Sequence, residues 1–247
     1  MELGKHNFDL YPEVAAAGSL SNALDQALSK IGSSLHATAD VNFISFARTA
    51  AGSRFCQMYI AAHEHLFLFD FSAEGVTYGK GSSSSLNDAA QAIHFWIVEQ
   101  PNIAQMQGRF SFFVPDEQGI AHEAGRAVEF KWSTLLKTWA VRADANPDAM
   151  SPLPLIEAAM KQPELAQLFP FTSLYTLHFS RTTGYPFTND CPFAVPIGNG
   201  RFRAVEHTGE VIGEGNAAEV IAMLVTHLPP NCGPAINGTA DDLTEQS

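Results

Sequence analysis

Two short glycine runs constrain this chain more than any other feature. Gly75-Val76-Thr77-Tyr78-Gly79-Lys80-Gly81 and Gly209-Glu210-Val211-Ile212-Gly213-Glu214-Gly215 share the pattern G-x-β-x-G-x-G, and all three glycines align at one offset. Each run predicts a tight turn, a short strand and a glycine-rich bend, and each leads into an amphipathic helix. In the second helix Ala217, Val220, Ile221, Leu224, Val225 and Leu228 fall on one face, which must pack on something. With six extra loop residues in the first copy, Ala89-Ala90, Ile93, Ile97 and Pro101 align with Ala217-Ala218, Ile221, Val225 and Pro229. A few antiparallel strands leave an apolar face bare, and the helix that follows covers it. The expected fold class is α+β: two related halves, each a small antiparallel sheet covered by a helix, as internal duplication would produce.

The remaining periodicity fills in this plan. Apolar positions at helical spacing predict a helix over 12–31; the alternative is two pieces, divided by Ser19 or Ser21 as an internal cap. Segments 41–48 and 54–61 read as a hairpin, 66–71 as a buried central strand and 76–78 as a short strand. A serine-rich loop (81–85) precedes a helix over 86–98, and 109–114 reads as another strand before a turn at 116–119. Residues 127–140 read either as one helix or as a strand followed by a helix, and the preferred expectation is a brief strand at 127–130 before a helix from Ser133. The acidic, proline-containing stretch 143–154 is the linker candidate, so the expected division is an N-terminal half (1–142), the linker, and a C-terminal half (155–247). There a helical pair over 155–168, interrupted at Gln162-Pro163, is followed by strands at 174–179 and 202–207. Residues 1–10 are expected to form a loose arm.

Charge excludes some partners. The chain carries 14 Lys plus Arg against 26 Asp plus Glu, a formal net charge of -12. Nucleic-acid backbones and anionic membranes need a clustered basic surface and are not expected partners; a basic protein is. The N-terminus lacks a basic segment followed by an apolar run, and no window reaches about 18 uninterrupted apolar residues, which predicts a cytoplasmic protein. Eighteen Phe against three Trp and five Tyr point to packing before ligand stacking.

Catalytic motifs are few. Gly79-Lys80-Gly81-Ser82 lacks the upstream spacing of a phosphate loop, and Glu214 stands where the second copy would need Lys80's counterpart. His63-Glu64-His65 would set two histidines on one side of a strand, but no third ligand has an address, so a polar turn between strands is the better reading and no metal or other cofactor is called for. His122-Glu123 lacks the cysteine pair of a zinc deaminase. The three cysteines, Cys56, Cys191 and Cys232, form no CxxC, disulfide framework or zinc ribbon. Cys191 or Cys232 as a nucleophile would need a neighbouring base that spacing does not reveal. The densest polar set lies among aromatics: Arg181, Tyr185, Phe187, Asp190, Arg201 and Arg203 are the candidate partner-binding residues, since Arg and Tyr are common interface anchors. Against this, Arg181 is as well suited to pair with Asp190 and pin the loop between two strands.

The motifs FPFTS (169–173), LHFSR (177–181), GYPFTNDCPF (184–193), GRFR (200–203) and LPPNCGPAINGT (228–239) resemble the C-terminal signature of an uncharacterised bacterial domain family that carries the automatic label "natural product biosynthesis protein". The resemblance covers about the last 90 residues, with weaker similarity from Leu155. It brings no catalytic residues and implies a gene-cluster setting, either biosynthetic or of the contact-dependent toxin kind. The reading that follows is a non-enzymatic acidic binding protein, an immunity-type protein that neutralises a cognate bacterial toxin by direct binding. The alternative is an accessory protein of a natural-product cluster that binds a peptide or small molecule. An enzyme built on Cys191 or on His63 and His65 ranks behind both.

Overall fold

A computed structural model describes residues 8–38, 44–145, 150–230 and 232–244. The start of the expected arm, positions 41–43 of the first hairpin strand, the middle of the expected linker and Asn231 of the LPPNCGPA motif lie outside the described residues. The chain divides into two compact units, Met1–Glu123 and Ala124–Ser247. That division falls earlier than the expected linker.

The first unit opens with α1 (Pro12–Ala17) and α2 (Leu20–Lys30). Gly18, in the left-handed region at φ 83°, ends α1, and the Ser19 side chain accepts from the Asn22 N–H to start α2, so the split at Ser19 is real. Six strands follow in sequence order across one antiparallel sheet: β1 (Ala37–Thr38), β2 (Phe46–Ala51), β3 (Arg54–Ile60), β4 (Phe67–Ala73), β5 (Val76–Ser83) and β6 (Phe113–Pro115). Between β5 and β6 the chain forms α3 (Leu86–His94), a π-helical turn Phe95–Glu99 and α4 (Ile103–Arg109); α5 (Glu117–Glu123) ends the unit. Phe67, Phe69 and Phe71 alternate inward along β4 and meet Met58, Ile93 and Trp96, all at most 1% exposed. Burying each such side chain contributes about 1.5–3 kcal/mol before entropy is counted.

Several local expectations change here. The strand predicted at 76–78 runs on to Ser83, because Gly79 and Gly81 are strand positions rather than a bend. Phe113 and Phe69 lie where their Cβ atoms would be, so the missing side chains make room for rings laid over the sheet. The strand predicted over 109–114 shrinks to β6, since a capping box between Asn102 and Gln105 starts a helix that continues to Arg109. The turn predicted at 116–119 is the first turn of α5 instead, with Gly119 lying against the Tyr78 backbone.

The second unit begins with α6 (Ala127–Ala145), the single helix and not the preferred strand followed by a helix. Trp132, Leu135 and Trp139 recur at helical spacing and all enter the core of this unit, which overrides the strand-like look of Ala127-Val128-Glu129-Phe130. That packing also explains why the division falls before α6. Next come α7 (Leu153–Ala159), α8 (Pro163–Ala166) and a five-stranded antiparallel sheet in sequence order: β7 (Phe169–Ser173), β8 (Thr176–Ser180), β9 (Phe193–Gly198), β10 (Arg201–Val205) and β11 (Val211–Gly215). α9 (Ala217–Thr226) and α10 (Ala240–Thr244) complete it.

The α+β expectation with two sheet-containing halves holds. In both units an antiparallel meander ends in a strand that carries the glycine pattern, and a capped helix follows: Ser85 caps α3 and Asn216 caps α9. Each such helix packs against one that precedes its sheet, α2 with α3 and α7 with α9. The caps change the alignment of the copies. Ser85 stands four residues after Gly81 and Asn216 one after Gly215, so the first copy has three extra residues rather than six. On that alignment the buried Ala89, Ala90 and Ile93 match the buried Val220, Ile221 and Leu224.

Candidate functional site

The second sheet turns one face to its own core through Leu177, Phe179, Ala194, Phe202 and Ala204. The alternate positions of the same strands carry Phe171, His178, Phe193, Val195 and Arg203 on the other face. Phe171 and His178 stack at 5.0 Å between ring centroids, and His178 and Phe193 at 4.9 Å, giving a row of rings across β7, β8 and β9. Burial between these rings lowers the His178 pKa from its ordinary value.

The connection from β8 to β9 is long, where its positional counterpart in the first unit, β2 to β3, is the tight Gly52-Ser53 turn. Buried hydroxyls build this loop. Ser180 Oγ donates to the Thr182 carbonyl at 2.8 Å and accepts from the N–H groups of Thr182 and Thr188 at 3.0 and 3.1 Å. Thr188 Oγ1 in turn accepts from the Arg181 N–H at 2.9 Å. The segment around Ile236 adds a second set of ties. Ile236 N–H donates to the Arg181 carbonyl, Thr183 N–H to the Ile236 carbonyl, and Gly184 N–H to the Gly238 carbonyl, at 2.8–3.0 Å. The loop is thus fixed on both flanks by groups that are themselves satisfied.

The six candidate residues take separate places in this arrangement. Arg181 Nη2 meets Asp190 Oδ2 at 2.6 Å, with both side chains about one-third exposed, so the pair pins the loop from one end to the other. Arg203 donates through Nε and Nη2 to Glu214 Oε1 at 2.8 and 2.6 Å, from directly opposite positions of β10 and β11, and Arg201 approaches the same carboxylate at 3.9 Å. Phe187 folds back onto Phe171 at 4.7 Å and onto Phe169 at 5.3 Å. Tyr185 projects from the loop: it is 71% exposed, touches Phe187 edge-on, and precedes Pro186 through a cis peptide bond. The loop therefore gathers Arg181, Tyr185, Phe187 and Asp190, while Arg201 and Arg203 belong to a sheet-surface ion pair.

One juxtaposition is absent from the sequence reading. Cys191 Sγ lies 3.8 Å from Cys232 Sγ, and 3.9 Å from Asp190 Oδ1. Cys191 is buried and Cys232 half-buried. The hydrogen bond between the two thiols raises the Cys191 pKa and lowers that of Cys232, and the Arg181 guanidinium favours the thiolate in both. Cys56, by contrast, is sealed in the first core, and burial pushes its thiol well above the ordinary range.

The histidines of the first unit do not converge. His63, Glu64 and His65 occupy the bend between β3 and β4 and not a strand; His65 Nε2 bonds Glu13 Oε1 at 2.7 Å, and the Tyr11 hydroxyl fills the bend by donating to the Glu64 carbonyl at 2.6 Å. Among the described residues no group of three metal-ligating side chains comes together. Likewise, no helix among them is long and apolar enough to cross a membrane.

Residues 126–239 match a family of unknown function, DUF6193. That span lies wholly in the second unit and holds α6, the five-stranded sheet, the β8–β9 loop and both paired cysteines. The match is consistent with a resemblance to an uncharacterised family, and it begins upstream at α6. No curated protein and no solved structure matches the chain.

Proposed function

We propose that the protein is a non-enzymatic acidic binding protein of the immunity type, which neutralises a basic toxin domain by covering its surface. The observation that carries this reading is Tyr185, a large aromatic side chain 71% exposed on a loop that an ion pair, buried hydroxyls and a neighbouring segment hold in place. An anchor presented on a fixed loop loses little conformational entropy on binding, which suits it to a buried interface centre. The net charge of -12 supplies steering toward a basic partner. The pairing of Arg181 with Asp190 and of Arg203 with Glu214 gives those residues the task of shaping the surface, with contact left to Tyr185 and the rim of Phe187.

The test mixes the purified chain with the protein encoded beside it. A one-to-one complex is expected, weakened as salt rises from about 50 to 500 mM, and Tyr185→Ala should cost at least about 2 kcal/mol of affinity, roughly thirtyfold. Absence of a complex, together with unchanged toxicity of the neighbour when both are expressed, would overturn the reading.

One observation favours the second reading, an accessory protein of a natural-product cluster. A groove of about 580 Å³ beside α6, within the matched span, is lined mainly by Val128, Trp132, Leu136 and Met160 with Arg126 and Glu129 at its polar side. That volume is within the usual range for small-molecule sites. Apolar peptides or polyketide-like probes that quench Trp132 fluorescence at micromolar concentration would support it, and Leu136→Glu should abolish the quenching.

A further inference from the structure

The thiols of Cys191 and Cys232 are 41 positions apart in the chain and 3.8 Å apart in space. To become a disulfide the sulfurs must close from 3.8 Å to about 2.05 Å once one of them reaches an oxidant. Cys232 is the half-buried member and Cys191 the buried one, so their accessibilities differ in the way that an attacking and a resolving thiol require. Asp190 and Arg181 flank the pair: Asp190 Oδ2 is held by Arg181 at 2.6 Å, and Asp190 Oδ1 lies 3.9 Å from Cys191 Sγ, about as far as Cys232 Sγ.

We propose that Cys191 and Cys232 form an oxidative modification site for hydrogen peroxide, closing to a disulfide that ties the segment beginning at Cys232 to the loop that carries Tyr185. In the first step the Cys232 thiolate attacks one peroxide oxygen; the O–O bond breaks, hydroxide leaves and takes up a proton, and Cys232 becomes a sulfenic acid. In the second step the Cys191 sulfur attacks the Cys232 sulfur, the S–O bond breaks, and the hydroxyl leaves as water with the Cys191 proton. Two thiols and one peroxide thus give one disulfide and two waters, with two electrons passing from sulfur to oxygen. The polarity follows from access, since Cys232 is the half-buried thiol that peroxide can reach and Cys191 lies buried behind it. The inference stands on the sulfur geometry and does not depend on what Tyr185 meets.

The consequence is local. Backbone hydrogen bonds from Ile236 and Gly238 already join this segment to residues 181–184, and the disulfide adds a covalent closure at its start. Cys56, buried in the other unit with a raised pKa, serves as an internal control.

The experiment uses the full chain, reduced, freed of reductant, and treated with equimolar hydrogen peroxide under native conditions before alkylation and peptide mapping. A peptide pair bridged between Cys191 and Cys232 is expected, lighter by two hydrogens, with Cys56 fully alkylated. Cys191→Ser should leave Cys232 as a sulfenic acid that dimedone traps, and Cys232→Ser should slow oxidation of Cys191 more than tenfold. The wild-type map keeps the inference falsifiable even if a variant fails to fold. Bridging seen only after denaturation, or oxidation of Cys56 at the same rate as Cys232, would overturn it. Equal oxidation rates in the two serine variants would overturn the assigned order of attack.

Discussion

At the scale of single residues, glycines that look equivalent in sequence are constrained by different neighbours. A Cβ on Gly79 would strike the Phe113 ring and sit 2.9 Å from the Val114 carbonyl oxygen, so both a core ring and the backbone of edge strand β6 would have to move. A Cβ on its counterpart Gly213 would meet only the end of Met223, the sulfur at 2.8 Å and the methyl carbon at 3.1 Å, and that flexible side chain can swing aside. Gly79→Ala is therefore expected to destabilise by about 1–3 kcal/mol and Gly213→Ala by less than about 1 kcal/mol, measured by urea unfolding. Similar losses in both variants would show that the glycines share a backbone requirement instead. The Arg181–Asp190 pair gives a second test at this scale. Its side chains are about one-third exposed, so solvent screens part of the attraction, yet Arg181 Nε has no hydrogen-bond partner and is shielded from water. Removing Asp190 alone leaves that guanidinium without its ion-pair partner. A double-mutant cycle with Arg181→Met and Asp190→Asn should give a coupling of about 1 kcal/mol; a coupling near zero would mean that the hydroxyl network around Ser180 holds the loop unaided.

At the scale of elements, α6 sets the clearest expectation. Trp132 is 4% exposed, lies against Phe179, and donates its Nε1 hydrogen to the Ala166 carbonyl at 3.0 Å, joining helix, sheet and the α8 turn at one point. Trp132→Ala should cost about 3–5 kcal/mol, seen as a large drop in the unfolding midpoint; a loss below about 1 kcal/mol would mean that the core closes over the gap. This helix also illustrates what sequence periodicity can and cannot carry. Strand and helix identities were legible wherever apolar spacing had one interpretation, as at β4 and α9. They were not legible at Ala127-Val128-Glu129-Phe130, where four residues alternate like a strand and only the later Trp139 fixes the helical period. Gly79 and Gly81 misled for a related reason, since glycine marks a bend in isolation and a ring-covered strand in context. For the loop, the Arg181–Asp190 pair could be anticipated from charge type and proximity in sequence. The Ser180 network and the Cys191–Cys232 contact could not, because each depends on how β8, β9 and the segment after α9 are brought together.

At the scale of the whole molecule, a buried histidine in the first unit and a half-buried one in the second link stability to pH in the same direction. His122 is 1% exposed, with Nδ1 2.8 Å from the Tyr78 hydroxyl and 3.7 Å from Glu74 Oε2; burial lowers its pKa although Glu74 pulls the other way. The same burial pushes Tyr78 up to about 12, so this partner stays neutral throughout the range in question. His178, stacked between Phe171 and Phe193, is lowered by burial as well. A histidine whose folded pKa lies below its unfolded value of about 6.5 binds fewer protons in the native state just below that pH. Its contribution to stability is fully present above about pH 6.5 and is lost as the pH falls through the folded value. Each unit should therefore lose stability between about pH 6.5 and 5, above the range in which carboxylates titrate. The net charge of -12 complicates the reading, because protonating exposed histidines relieves repulsion and favours the compact state. Measuring at about 0.5 M salt, where screening acts over roughly 4 Å, removes most of that opposing contribution and leaves the buried groups. Under those conditions the urea midpoint should fall from about pH 7.5 to 5, and His178→Gln should flatten the decline without abolishing it. A midpoint that stays level across this interval would mean that both histidines take up protons in the native state, and with it that the ring stack and the Tyr78 pocket open to water well before the units unfold.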